Sequence, residues 1–302
     1  MMRTTWGTAV LITVLLGGCG AGEPTNQSAK SSTPAGSSSP TPTPTPRPVT
    51  TPRLDSIAVL GHSGATGTMS DPEDPSRDAH ENSWATGDNP QVESVYLGLL
   101  EDHPALKGHN YNLAVNGTTV DDLQFQFEDL LTQADPLPDV ILLQTIDNDI
   151  QCDGSDPDNY RPFGKSLDRA LTEMETAIPD VQFFFVSQWA TVERWTAWAA
   201  HHEEHVVANS GTGPCAVFDA KGKPRPAGIR SMQEIVDSYW AQVEKVCAAH
   251  PGCFTDGGAE QAEFVPTDRD LAADLNHLSI AGHKKYAAIA WKAFPQEIKQ
   301  RQ

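Results

Sequence analysis

The chain has 302 residues, with 40 acidic against 21 basic side chains and a formal net charge of −19. A surface this acidic repels phosphate backbones, which weighs against nucleic acid as a partner and against charge-driven binding to anionic lipid. The length supports a full hydrophobic core, but a hydrophobic share of 38% is low for a compact chain, so part of it is expected to stay outside the fold.

Met1-Met2-Arg3 opens the chain with one positive charge, and an apolar run over 9–16 leads to Gly17-Gly18-Cys19. A charged start, a short apolar stretch and a small-residue site make a secretory signal over 1–18, and the run is too short to span a bilayer. Leu16-Gly17-Gly18-Cys19 resembles the bacterial lipobox, which implies cleavage before Cys19 and acylation of its thiol. The mature chain would then be extracytoplasmic and tethered to the cell membrane by lipid. Residues 19–53 are Ser, Thr, Pro, Gly and Ala for the most part, including Pro40-Thr41-Pro42-Thr43-Pro44-Thr45-Pro46. Such a segment cannot bury enough apolar surface to offset its ordering entropy, and its Pro-Thr repeat favours extended geometry. We read it as a stalk carrying a folded domain over 54–302.

Within that domain, short apolar runs alternate with helical periodicity. Strands are expected over 56–60, 111–115, 140–143, 181–186 and, more weakly, 253–255. Helices are expected over 91–101, 120–131 (with Leu123, Phe127, Leu130 and Leu131 on the apolar face), 163–177, 229–247 and from the N-cap Ser279 to about 294. This alternation predicts an α/β domain with a buried, mostly parallel sheet and helices on both faces, binding its ligand at the carboxyl ends of the strands. Four cysteines remain after Cys19. In an exported chain they read as two disulfides. Cys247 and Cys253 flank the turn-like His250-Pro251-Gly252 and are natural local partners, which leaves Cys152 with Cys215.

Four patches carry chemistry, each at a strand end or just before a helix. Gly61-His62-Ser63-Gly64 follows the first strand and exposes a serine on a tight turn. Gly117, after the second strand, brings a backbone N–H close to a ligand with no side chain in the way. Asn148 in Ile146-Asp147-Asn148-Asp149 offers an amide to a developing oxyanion. In Asp274-Leu275-Asn276-His277, a carboxylate three residues before a histidine accepts its Nδ1–H and fixes the tautomer that leaves Nε2 as base.

In these four blocks and their order, the chain from residue 57 to about 291 resembles the SGNH hydrolases, also called the GDSL esterase/lipase family. The resemblance implies a three-layer α/β/α sandwich with a central five-stranded parallel sheet. It implies Ser63 as nucleophile, His277 as general base and acid, and Asp274 as its orienting partner. The oxyanion hole would be built from the Ser63 and Gly117 N–H groups and the Asn148 side chain. The activity implied is hydrolysis of carboxylic esters of lipid or acetylated-sugar type, with no metal or organic cofactor. His62 stands where the family has Asp, which changes packing and charge under the nucleophile turn. Ile146 stands where it has Gly, which is expected to set a bulky side chain near the hole and narrow the acyl pocket. Trp84, Trp189 and Trp195 are candidates for pocket lining or for core.

Two other patterns compete. His201-His202-Glu203-Glu204-His205 matches the inverted zinc-protease pattern if His201 and His205 share a helix face, and reads otherwise as a solvated helix surface. Asp147, Asp149, Asp153, Asp156 and Asp158 lack EF-hand spacing and read as a solvated acidic loop. The non-enzymatic alternative is a degenerate ligand-binding lipoprotein, resting on His62 and Ile146 alone.

Overall fold

The computed structural model describes residues 54–300. The expected signal segment over 1–18, Cys19 and the stalk over 19–53 lie outside the described residues. Five strands, β1 (Ile57–Gly61), β2 (Asn110–Asn112), β3 (Val140–Gln144), β4 (Gln182–Phe185) and β5 (Cys253–Thr255), form one sheet in the order β2-β1-β3-β4-β5. Every pairing is parallel. The connected helices are α1 (Ser63–Thr66), α2 (Val95–Leu100), α3 (Leu123–Gln133), α4 (Asp156–Ala177), α5 (Val192–Ala199), α6 (Glu203–Ala208), α7 (Pro226–Cys247), α8 (Ala259–Glu263), α9 (Ile280–Ala293) and α10 (Gln296–Lys299).

Period-2 geometry sends neighbouring strand residues to opposite faces. Ile57, Val59, Val140, Leu142 and Phe184 join a core with Leu99 of α2 and Tyr286 and Ala290 of α9. Ala58, Leu60, Ile141, Leu143, Phe183 and Phe185 join a second core with Phe127 of α3, Leu167 of α4 and Val243 of α7. Both faces are covered, so β1 and β3 are buried along their whole length and show no polar alternation. Full burial of each such side chain contributes about 1.5–3 kcal/mol, and the three-layer sandwich follows from that pattern.

Several elements depart from their expected bounds. β2 ends at Asn112, not 115, although the ladder continues through the bonds Leu113 N–H to Val59 O (3.0 Å) and Val115 N–H to Gly61 O (3.0 Å). α2 begins only after Ser94, whose side chain accepts the Leu97 N–H. α4 starts at Asp156 and runs through Pro162, which costs one intrahelical bond. Leu131, expected on an apolar face, is exposed, while the polar Gln126 of the same helix is fully buried. Both expected disulfides form, Cys152–Cys215 with a Cα separation of 5.4 Å and Cys247–Cys253 with 5.0 Å.

Candidate active site

β1 is flanked by β2 on one side and β3 on the other, so consecutive connections leave it in opposite directions. The crevice at such a switch point opens over the carboxyl ends of the strands, and Ser63 and Asn148 follow the ends of β1 and β3. Gly61 closes β1 with φ +133°, and a Cβ there would lie 2.0 Å from Gln144 O. No side chain fits where the two strand ends approach. Gln126 clamps this glycine from both sides: its Oε1 accepts the Gly61 N–H at 2.7 Å and its Nε2 donates to Gly61 O at 2.9 Å.

His62 is the N-cap of α1. Its Nδ1 accepts the Gly64 N–H at 3.1 Å, the task a carboxylate or hydroxyl usually performs at this position. Nδ1 therefore carries no proton, and the proton sits on Nε2, which faces Asp147 Oδ2 at 3.4 Å. An imidazole thus caps this turn. Ser63 then begins α1. Beneath it, Gln144 Oε1 accepts the Trp84 indole N–H at 2.9 Å and its Nε2 donates to Tyr286 OH at 3.3 Å. Trp84 thus belongs to the core under the site.

Gly117 has φ +77° with open space where a Cβ would be. Asn148 donates one amide hydrogen to Thr118 O at 2.9 Å, which keeps its second available. Among the described residues no protein acceptor takes the Ser63 or Gly117 N–H. The Asp149 carboxylate accepts the Val120 N–H at 3.1 and 3.3 Å, so Asn148 and Asp149 together hold the loop that carries Gly117. Burial pushes the Asp149 carboxyl up to about 7, against the Val120 N–H bond. Asp156 is buried, accepting the Gln151 and Cys152 N–H groups. The acidic run is therefore the solvated loop expected only in part: Asp153 and Asp158 are exposed, whereas Asp149 and Asp156 are acceptors for backbone that would otherwise lack partners.

Ile146 has φ +97°, a backbone region that β-branched residues rarely adopt. Its side chain is buried in the core under α3, α4 and α7 and does not line the cavity beside Ser63. The expected narrowing of the acyl pocket is thus corrected. The glycine-like backbone is kept, and burial of the side chain in the core opposes the strain.

Asp274 and His277 lie on the turn before α9. His277 Nδ1 and Asp274 Oδ2 are 2.6 Å apart, and Asp274 Oδ1 accepts the Asn276 and His277 N–H groups, each at 3.1 Å. Burial raises the Asp274 carboxyl, but the bonds from the His277 ring and the two backbone donors outweigh it, so its pKa falls below the usual carboxylate value. The carboxylate stays ionised, holds the proton on Nδ1 and leaves Nε2 free to act as base. A cavity of about 350 Å³ is lined by the polar residues Ser63, Asp147, Asn148, Gln188 and Asn276 and by the apolar residues Ile150, Trp189, Val192, Trp195, Met232 and Val236. Of the three candidate tryptophans, two line it.

The His201–His205 pattern does not lie on one helix. α5 ends at Ala199, His201 is in a turn, and α6 begins at Glu203. His202 Nε2 meets Asp268 Oδ1 at 3.0 Å and His205 Nε2 meets Leu275 O at 2.9 Å. The break removes the shared face that the zinc-protease pattern requires.

Gln126, Gln144 and His205 were missed as contributors to the site. Their signal in the sequence is slight: the two glutamines are polar residues at positions where periodicity calls for burial.

No protein-family model matches the sequence. No curated protein matches it. Among solved structures the chain is similar to an extracellular lipase from Streptomyces rimosus, at 14% identity over 79% of this chain and 99% of that chain, with a TM-score of 0.49. It is similar to phospholipase A1 from Streptomyces albidoflavus, at 12% identity over 80% and 100%, with a TM-score of 0.49. It is also similar to an acetylxylan esterase from Geobacillus stearothermophilus, at 17% identity over 82% and 94%, with a TM-score of 0.46.

Proposed function

We propose that the protein is a serine hydrolase of the SGNH type that cleaves carboxylic esters through an acyl-enzyme. The observation that carries this reading is the 2.6 Å contact between His277 Nδ1 and Asp274 Oδ2, on a turn whose Asn276 lines the same cavity as Ser63 and Asn148. His277 Nε2 takes the Ser63 hydroxyl proton as Oγ attacks the ester carbonyl. The N–H groups of Ser63, Gly117 and Asn148 receive the negative charge that develops on the carbonyl oxygen. His277 then gives its proton to the leaving alcohol, and water, deprotonated by His277 in turn, releases the acid and restores Ser63.

The cavity walls set the apolar Trp189, Trp195, Val192, Met232 and Val236 beside the polar Asp147, Asn148, Gln188 and Asn276, so they offer both apolar area and hydrogen-bond partners, and the substrate class we propose is a carboxylic ester of lipid or acetylated-sugar type. Export and anchoring through Cys19 complete the reading. The signal-like segment supports it, and so do two disulfides, which persist in oxidising compartments. Mass spectrometry of the mature N-terminus tests this part: an unmodified or uncleaved end removes the anchor.

The test of the activity is hydrolysis of chromogenic esters, from acetate to long acyl chains, by the full chain and by Ser63→Ala. The variant is expected to lose roughly 10⁴–10⁶-fold in rate. A folded wild-type chain inert to every ester and to a serine-reactive probe would leave the ligand-binding reading as the better one.

A further inference from the structure

We propose that His205 is a positioning residue for the Asp274–His277 pair. The inference rests on the hydrolase reading above, and it concerns a side chain two segments away from the four motif blocks. Leu275 lies between Asp274 and Asn276 with φ +54°, a left-handed conformation unusual for a residue with a branched side chain. A turn through such a residue persists only where its surroundings fix it. Within the turn, Leu275 N–H bonds Ala272 O at 3.0 Å and Ala272 N–H bonds His277 O at 2.8 Å. The outward bond comes from His205, whose Nε2 lies 2.9 Å from Leu275 O. A carbonyl only accepts, so the His205 proton is on Nε2 and the bond has one direction.

The ring that makes this bond is itself held. It packs on Trp198 at 5.1 Å and on Trp195 at 5.8 Å between ring centroids. Trp198 is anchored in turn by its indole N–H to Asp268 Oδ1 at 2.8 Å. Asp268 also takes His202 at 3.0 Å. The α5–α6 segment thus grips the loop of the base at two points, Asp268 and Leu275. Trp195, which touches His205, also lines the cavity beside Ser63. The side chain that fixes the peptide between Asp274 and His277 is therefore packed against the wall of the substrate cavity. Rotation of that peptide would turn the Asn276 N–H off Asp274 Oδ1 and swing the imidazole away from its carboxylate.

The test compares His205→Phe, which keeps an aromatic ring and removes the donor, with His205→Gln, which keeps a donor, both in the full chain. The Phe variant is expected to lose about 10- to 100-fold in kcat with KM changed less than about threefold. The acid limb of its kcat/KM profile should move to lower pH, because a loosened carboxylate favours the protonated imidazole less. The Gln variant is expected to recover most of the rate. The hydrogen-bonded Nδ1 proton of His277, read by proton NMR far downfield, should be sharp in the wild type and the Gln variant and broadened in the Phe variant. That signal is readable even if no ester is turned over, so failure of the hydrolase reading remains distinct from failure of this one. Wild-type kcat, an unmoved pH limb and an unchanged proton in the Phe variant would overturn the proposal. So would equal loss of rate and thermal stability in both variants, which would make His205 merely structural.

Discussion

Ser63 stands on a turn pinned from outside its own segment, whereas His277 stands on a turn that is tied mostly to itself. Gly61 is clamped by Gln126, 65 residues along the chain, and His62 beside it is only 2% exposed. The Asp274 carboxylate takes its bonds from within three residues, and the side chains of Asp274 and His277 are 27% and 23% exposed. Bonds of the first kind belong to the core and carry global stability. Bonds of the second kind are close to water, where their net worth to folding is small. Damage on the nucleophile side should therefore register as unfolding, and damage on the base side as lost rate.

Among substitutions that keep the Ser63 nucleophile, Asp274→Asn gives the largest expected effect. An asparagine can turn its NH₂ toward Nδ1, which leaves the imidazole proton on Nε2 and no base for Ser63. The rate of ester hydrolysis should fall by roughly 10²–10⁴-fold, while the thermal midpoint moves by no more than a few degrees. A large drop in midpoint with little loss of rate would erase the contrast between the two turns.

Gln126→Leu probes the other side. The substitution keeps volume but leaves the buried Gly61 N–H without its 2.7 Å acceptor. The expected loss is about 2–4 kcal/mol in denaturant unfolding, since an unpartnered buried donor carries its full desolvation cost within a coupled network. The rate per folded molecule should fall far less than in Asp274→Asn. Stability equal to wild type would mean that the Gly61 clamp is not what holds the nucleophile turn.

The same contrast explains what could be read from the sequence. The Asp274–His277 pair was legible because its geometry is local, with a carboxylate and an imidazole three residues apart on one turn. β1, β3 and β4 were legible because burial on both faces leaves an unbroken apolar run. The direction of the Ile146 side chain was not, since spacing places the residue beside Asn148 but only the packed core decides which way it points. Gln126 was hidden for a similar reason. A glutamine on the apolar stripe of a helix does not reveal its partner until the strand end it serves is brought beside it. The break between α5 and α6 was likewise invisible, because the partners of His202 and His205 are Asp268 and Leu275, 66 and 70 residues away.

Asp149, which holds the loop of Gly117 through the Val120 N–H, gives the smallest effect. Its carboxyl has a pKa near the usual 3.8 in the unfolded chain and about 7 in the folded one, raised by burial. Below about 4 both states keep the proton and the group contributes nothing to pH dependence. Between those values the folded state holds a proton that the unfolded chain has released, so this group lowers stability as pH rises from about 4 to about 7, and the full penalty remains above that. Asp149→Asn retains a carbonyl oxygen for the Val120 N–H without a charge to bury. Its unfolding free energy should match that of the wild type near pH 4 and exceed it by about 1–3 kcal/mol at pH 8. Urea melts of both chains across this range check the sign directly. Two parallel curves would mean that the carboxylate is already ionised at neutral pH, and that the loop carrying Gly117 is held by a full negative charge at Val120 rather than by a neutral acid.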